Sequence, residues 1–181
     1  MIFLQLSIFP LTVQFEDVDA HGVVHHPNYL KYLERARSYG MKKCGYSLEK
    51  LISSGSVLAI SEIQAHYLRP ALLEEELFVI SQVTDVGKTS IKVQQVITLR
   101  LPKTDEIHLA EDQNVSLPET IFSAKIRLVC VDLKSAKAKS IPQDLKQAIK
   151  SFNQPLGANC SQNIDPPLVG ELQKCEYLIT T

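Results

Sequence analysis

Phe15-Glu16-Asp17-Val18-Asp19-Ala20-His21-Gly22-Val23-Val24-His25-His26-Pro27-Asn28-Tyr29, running on to Glu34-Arg35-Ala36-Arg37, is the stretch on which the reading of this chain turns. Two acids and three histidines fall between Asp17 and His26, and Pro27-Asn28 then opens a helix. Pro suits the first helical turn because its missing N–H would be unpaired there in any case. The remaining N–H groups of that turn have no partner within the helix and carry the positive end of its dipole. A carboxylate beside such an end makes a workable hydrolytic site. The N–H groups stabilise a developing oxyanion, and the acid serves as base or nucleophile.

From Tyr29 onward, the apolar or small positions 29, 32, 33, 36 and 40 trace one helical face,. Ala36 and Gly40 leave room for another element to approach it. Gly45 marks the helix stop, and Ser47 caps a short helix through Ile52 that ends at Gly55. Upstream, residues 5–15 read as a first strand. Downstream, 57–69 alternates, with Val57, Ala59, Ile63, Ala65 and Tyr67 expected on one face and Glu62, Gln64 and His66 on the other. Strands at 76–84 and 89–101 follow, joined near Asp85-Val86-Gly87-Lys88. A last strand at 120–132 sets Phe122, Ala124, Ile126, Leu128 and Cys130 on one side. One strand, a long helix and an antiparallel meander make an α+β chain.

Two segments fall outside this pattern. Residues 102–118 are polar and aperiodic, far longer than an ordinary hairpin connection, and are expected to form an insertion serving as a flap or lid. A helix at 142–152 carries Leu145, Ala148, Ile149 and Phe152 as a docking stripe. The expected organisation is one domain over 1–152 and a C-terminal extension over 153–181.

The chain has 181 residues, 45% hydrophobic, with a net charge of −1. That is ample for one core and lacks the basic excess of a nucleic-acid binder. No run is long and apolar enough for a membrane span. Four cysteines without a Cys-x-x-Cys pair read as reduced thiols of a cytoplasmic protein,. There is no Gly-x-Ser-x-Gly, GxGxxG or Walker motif. The three histidines and the acids match no familiar zinc spacing, so no metal is expected.

The motif Asp-x-Asp-x-x-Gly-Val-Val-x-His-x-x-Tyr followed by Glu-Arg-Ala-Arg resembles the signature of the hotdog-fold acyl-CoA thioesterases, in their YbgC-like and 4-hydroxybenzoyl-CoA thioesterase branch. The matching positions are Asp17, Asp19, Gly22, Val23, Val24, His26, Asn28, Tyr29, Glu34, Arg35, Ala36 and Arg37. The resemblance implies a hotdog fold, an antiparallel sheet wrapped around a long central helix. It implies Asp19 as catalytic base or nucleophile and His26 as its catalytic helper through side chain or backbone amide. Gly22, Val24, Asn28, Tyr29, Lys88 and Ser90 are implied as substrate-binding positions, the last two toward the nucleotide end of CoA. An acyl-CoA substrate, or an acyl-carrier-protein thioester, and a homodimer or homotetramer with sites between subunits are implied as well. Such a thioester needs no organic cofactor for hydrolysis, because thiolate is a good leaving group. The other reading is a hotdog module that binds acyl groups or a protein without turnover. YbgC-like members tend to carry Tyr four residues before the second acid, where this chain has Phe15.

Overall fold

The computed structural model describes residues 6–101 and 117–152. Strand β1 (Ser7–Thr12) leads through a single 3-10 turn at Phe15–Asp17 to helix α1 (His26–Lys43) and the short α2 (Leu48–Ser53). Strands β2 (Ser56–Tyr67), β3 (Glu76–Val86), β4 (Ser90–Thr98) and β5 (Thr120–Asp132) follow, and helix α3 (Gln143–Phe152) closes the described chain. The strands form one sheet in the order β1-β3-β4-β5-β2, every neighbour antiparallel. This is the expected α+β arrangement. Most of the 102–118 insertion and all of the 153–181 extension lie outside the described residues.

Helix α1 lies across the inner face of the sheet. Its buried stripe is Tyr29, Tyr32, Leu33 and Ala36, joined by Asn28. Facing it are Leu77 and Val79 of β3, Ile91, Val93 and Ile97 of β4, and Phe122, Ala124, Ile126, Leu128 and Cys130 of β5. Gly40 is small for a reason visible at β1: a Cβ there would sit 3.0 Å from the Ser7 hydroxyl. The helix stops where expected, with Gly45 at φ +75°, a conformation that costs glycine no steric strain. Ser47 caps α2, its hydroxyl accepting from the Lys50 N–H at 3.1 Å. Leu145 and Ile149 of α3 are buried, with Ala148 packed beside them.

One strand reading needs correction. In β2 the pairing register shifts between Ile60 and Glu62. Ser61 is the extra residue of a bulge, and an extra residue reverses which side chains point inward. Leu58 pairs with Cys130 and Ile60 with Leu128, so these face inward before the bulge; Ile63, Ala65 and Tyr67 do so after it. Val57 and Ala59, expected with the second set, therefore lie on the opposite face. In β4 the inward alternation runs through Gln95, which is fully buried. Its amide donates to the Leu33 carbonyl at 3.1 Å and the Ser81 hydroxyl at 2.8 Å, and its oxygen accepts from Arg37 at 2.8 Å. These bonds satisfy a polar group that would otherwise be costly to bury.

Candidate active site

The loop that carries the acids is a tight return, held at both ends. Val18 bridges Val24, and Val23 bridges Leu72. The Asp19 N–H donates to the Val23 carbonyl at 2.9 Å, and the Gly22 N–H to the Asp19 carbonyl at 3.0 Å. Gly22 takes φ +74° to close the turn, a conformation side chains disfavour. Residues 71–75 wrap this loop: Val24 donates to the Ala71 carbonyl and Leu73 to the Gly22 carbonyl.

Asp17 is the structural acid. It is buried, accepts from the Gln14 N–H at 3.1 Å, and its carbonyl receives both the His25 N–H and the Asn28 side-chain amide at 2.9 Å. Those two bonds stitch the loop to the first turn of α1. Asp19, two residues further, is exposed and lies within about 7 Å of Asp17, Cα to Cα, by chain reach alone. One Asp19 carboxylate oxygen accepts from the His21 N–H at 2.8 Å. The other has no partner among the described residues.

His26 is the first residue of α1, with Pro27 behind it and His25 as the N-cap. Asn28 lies inside the first turn: His25 takes the extended cap conformation, and the Asn28 amide is spent on Asp17. The His26 N–H has no partner among the described residues, and Pro27 has none to offer. The positive end of the helix therefore presents an open donor beside the exposed Asp19 loop. The His26 ring is exposed and meets the His25 ring edge-on at 4.7 Å. Its carbonyl accepts from the Tyr67 hydroxyl at 3.1 Å.

Other positions named from the sequence are turned to packing. Val24 is in the core. Tyr29 is buried, stacks on Phe122 with centroids 5.2 Å apart, and its hydroxyl accepts from the Ala71 N–H at 2.9 Å. Burial pushes its phenol pKa up. The Tyr32 hydroxyl is buried, with no hydrogen-bond partner among the described residues. Burial, reinforced by the neighbouring Asp17 carboxylate, raises it well above the ordinary tyrosine value. Lys88 and Ser90 sit at the β3–β4 turn, the opposite end of β3 from the loop, roughly 30 Å away at the rise of an extended strand. Within one protomer they do not meet Asp19. Among the described residues, no group of three or more His, Cys, Asp or Glu is placed to hold a metal ion.

Tyr67 is the site neighbour that the sequence does not reveal. It stands 41 residues from His26 in the chain, half exposed, its ring edge-on to Tyr29 at 5.5 Å and to Phe122 at 4.9 Å. Nothing local marks it, since it reads there as an ordinary strand aromatic.

A long helix cradled by one antiparallel sheet, with an acid loop at the helix N-terminus, defines a class that comparison with known proteins identifies. Residues 13–149 match the model of the thioesterase-like superfamily. The chain is 27% identical over 142 residues to the acyl-CoA thioester hydrolase YbgC of Escherichia coli O157:H7, covering 78% of this chain and 94% of that one. It is 31% identical over 144 residues to the acyl-CoA thioesterase YbgC of Helicobacter pylori, covering 77% and 97%. Among solved structures, Slr0204, a 1,4-dihydroxy-2-naphthoyl-CoA thioesterase from Synechocystis, superposes with a TM-score of 0.67 at 20% identity, covering 83% of this chain and 99% of that one. The fold is the hotdog fold. The chain belongs to the thioesterase-like superfamily, in its YbgC-like group, and is an enzyme of the thioester-hydrolase class.

Proposed function

We propose that the enzyme hydrolyses acyl-CoA thioesters to the free acid and CoA, with Asp19 as general base or nucleophile. One observation carries this reading: the loop with the exposed Asp19 carboxylate is stitched through Asp17 to the start of α1, where the His26 N–H has no partner among the described residues. The thioester carbonyl oxygen sits over the His26 N–H, where the helix dipole favours the growing negative charge. Asp19 then attacks the carbonyl carbon, or takes a proton from a water that attacks it. In the first case the C–S bond breaks to a mixed anhydride, which water opens to restore Asp19. In the second, water supplies the new C–O bond directly. Either way the thiolate leaves and is protonated as free CoA. The names of the YbgC relatives support CoA as the carrier, and an acyl-carrier-protein thioester uses the same chemistry.

The working unit of this proposal is a homodimer or homotetramer in the cytoplasm. Strand β2 is a sheet edge whose inner-face Ile60, Ile63 and Tyr67 are exposed, and such an edge invites pairing with a second copy. Pairing also supplies the distance that one protomer lacks, since Lys88 and Ser90 reach a site only from a neighbouring chain. A non-catalytic acyl-binding module is less well supported, because binding alone has no use for an exposed acid at an open helix end.

The test is thiol release from a panel of aliphatic and aromatic acyl-CoAs by the wild type and Asp19→Asn. The variant is expected to lose about a hundredfold or more in kcat, in the range of acid–base groups, with its unfolding transition unchanged. Equal turnover by the two proteins removes Asp19 from the mechanism. No turnover by the wild type on any substrate transfers the case to the binding module.

A further inference from the structure

Tyr67 is the last residue of β2, and its ring is held from two sides. It stands opposite Phe122 of β5 in the pairing register. Its ring lies edge-on to Phe122 at 4.9 Å and to Tyr29 at 5.5 Å, while Tyr29 stacks on Phe122. Edge-on and stacked rings interlock, so each limits the freedom of the other two. Just past Tyr67 the backbone is pinned as well. The N–H groups of Leu68 and Arg69 both donate to the Ile121 carbonyl, at 2.9 and 3.1 Å. The phenol is thereby aimed at the start of α1, where its hydroxyl donates to the His26 carbonyl at 3.1 Å.

That carbonyl belongs to the His26–Pro27 peptide, which has no N–H because of the proline ring. Its oxygen is therefore the handle by which a neighbour can orient it. The preceding peptide carries the His26 N–H and is held from the other side. Its His25 carbonyl accepts from the Asn28 N–H at 2.9 Å, and the His25 N–H donates to the Asp17 carbonyl at 2.9 Å. His26 is thus gripped on both flanks, by the Asp17 loop before it and by Tyr67 after it. Burial does not demand the Tyr67 bond, since that residue is half exposed in the protomer. Water can replace either partner, so the bond adds little to folding. What it fixes is direction.

We infer that Tyr67 is a positioning residue for hydrolysis. Through the His26 carbonyl it holds the first residue of α1 so that the His26 N–H stays aimed at the oxygen of the reacting carbonyl. The inference rests on the proposed thioesterase reading and adds a residue to its site. A donor stabilises an oxyanion only from the right place, and small misplacements are costly in rate. Tyr67 touches no reacting atom in this role and transfers no proton, because its hydroxyl hydrogen is engaged by His26.

The experiment compares the wild type, Tyr67→Phe and Asp19→Asn on aliphatic and aromatic acyl-CoAs. The Phe ring keeps the packing on Tyr29 and Phe122, so sedimentation and thermal unfolding should be essentially unchanged. For Tyr67→Phe, kcat should fall by about tenfold, less than the loss on deleting an oxyanion donor outright. KM should hold, and the pH–rate profile should keep its shape. Two CoA thioethers followed by calorimetry separate aim from packing. Trifluoroacetonyl-CoA has an activated ketone that adds a nucleophile to give a tetrahedral oxyanion, whereas S-propyl-CoA has no carbonyl. The variant should lose affinity for the first in step with kcat and keep it for the second. Equal kcat in the two proteins, or equal loss of both ligands, overturns the inference. So does a changed basic limb of the profile, since the phenol would then titrate in the reaction itself. A slow Tyr67→Phe beside a fully active Asp19→Asn removes the acid and keeps the positioning role. A slow Asp19→Asn beside an unimpaired Tyr67→Phe does the reverse. A wild type that neither hydrolyses acyl-CoA nor binds trifluoroacetonyl-CoA removes both.

Discussion

The two edges of the sheet meet α1 in opposite ways. On the β1 edge the contact is complete: Phe9 packs on Tyr39 with ring centroids 5.4 Å apart, and Ser7 presses against Gly40. On the β2 edge the inner-face residues Ile60, Ile63 and Tyr67 remain exposed, and Tyr67 meets His26 at the start of α1. The closed edge contributes stability, and the open edge carries the proposed site. The tertiary cause is the position of the helix, which lies over β1 and β3 and leaves the strand at the far end of the sheet uncovered.

The contrast breaks most readily at the helix–sheet contact they share. Leu33 is fully buried against the sheet, and Leu33→Ala should destabilise the fold by about 2–5 kcal/mol, a transfer and cavity cost, measured by urea unfolding. Tyr29→Phe is a finer cut. It removes only the hydroxyl that accepts from the Ala71 N–H, leaving a buried donor unpaired at a cost of about 1–3 kcal/mol. Because Ala71 also receives the Val24 N–H, amide exchange should rise in the 71–75 segment before it rises elsewhere. At the open edge, Ile63→Asp should change protomer stability by no more than about 0.5 kcal/mol. Sedimentation should nevertheless show the assembly dissociated. A loss of stability as large as that of Leu33→Ala would mean that the β2 edge is core and not interface.

Legibility followed the range of the signal. The start of α1 at Pro27, its end at Gly45 and the cap at Ser47 are written in neighbouring residues and were read correctly. So was the inward side of β5, where Phe122 to Cys130 alternate without interruption. Strand β2 was half misread, because the Ser61 bulge has no local mark: its residues alternate plausibly in either register. The burial of Gln95 has no local mark either, because a glutamine in an alternating strand looks like a surface residue until Leu33, Ser81 and Arg37 are seen around it. At the site, the loop acids stand out in the sequence. The burial of Tyr29 follows from its place on the apolar helical face, but that of Asn28 and Val24 has no local mark, nor does the distance of Lys88 and Ser90 from Asp19.

What the sequence determined alone is the helix, its caps, the glycine-closed loop and the pairing of acids with a helix N-terminus. Each depends on backbone preferences and hydrogen bonds that span only a few residues. What only the tertiary structure decided is which edge of the sheet stays open, how the β2 bulge sets both Ile60 and Ile63 on the inner face, and that Tyr67 arrives at His26. These depend on strand register and on where a helix settles over a sheet. Both are set by the packing of residues distant in the chain, whose summed contacts outweigh any local preference.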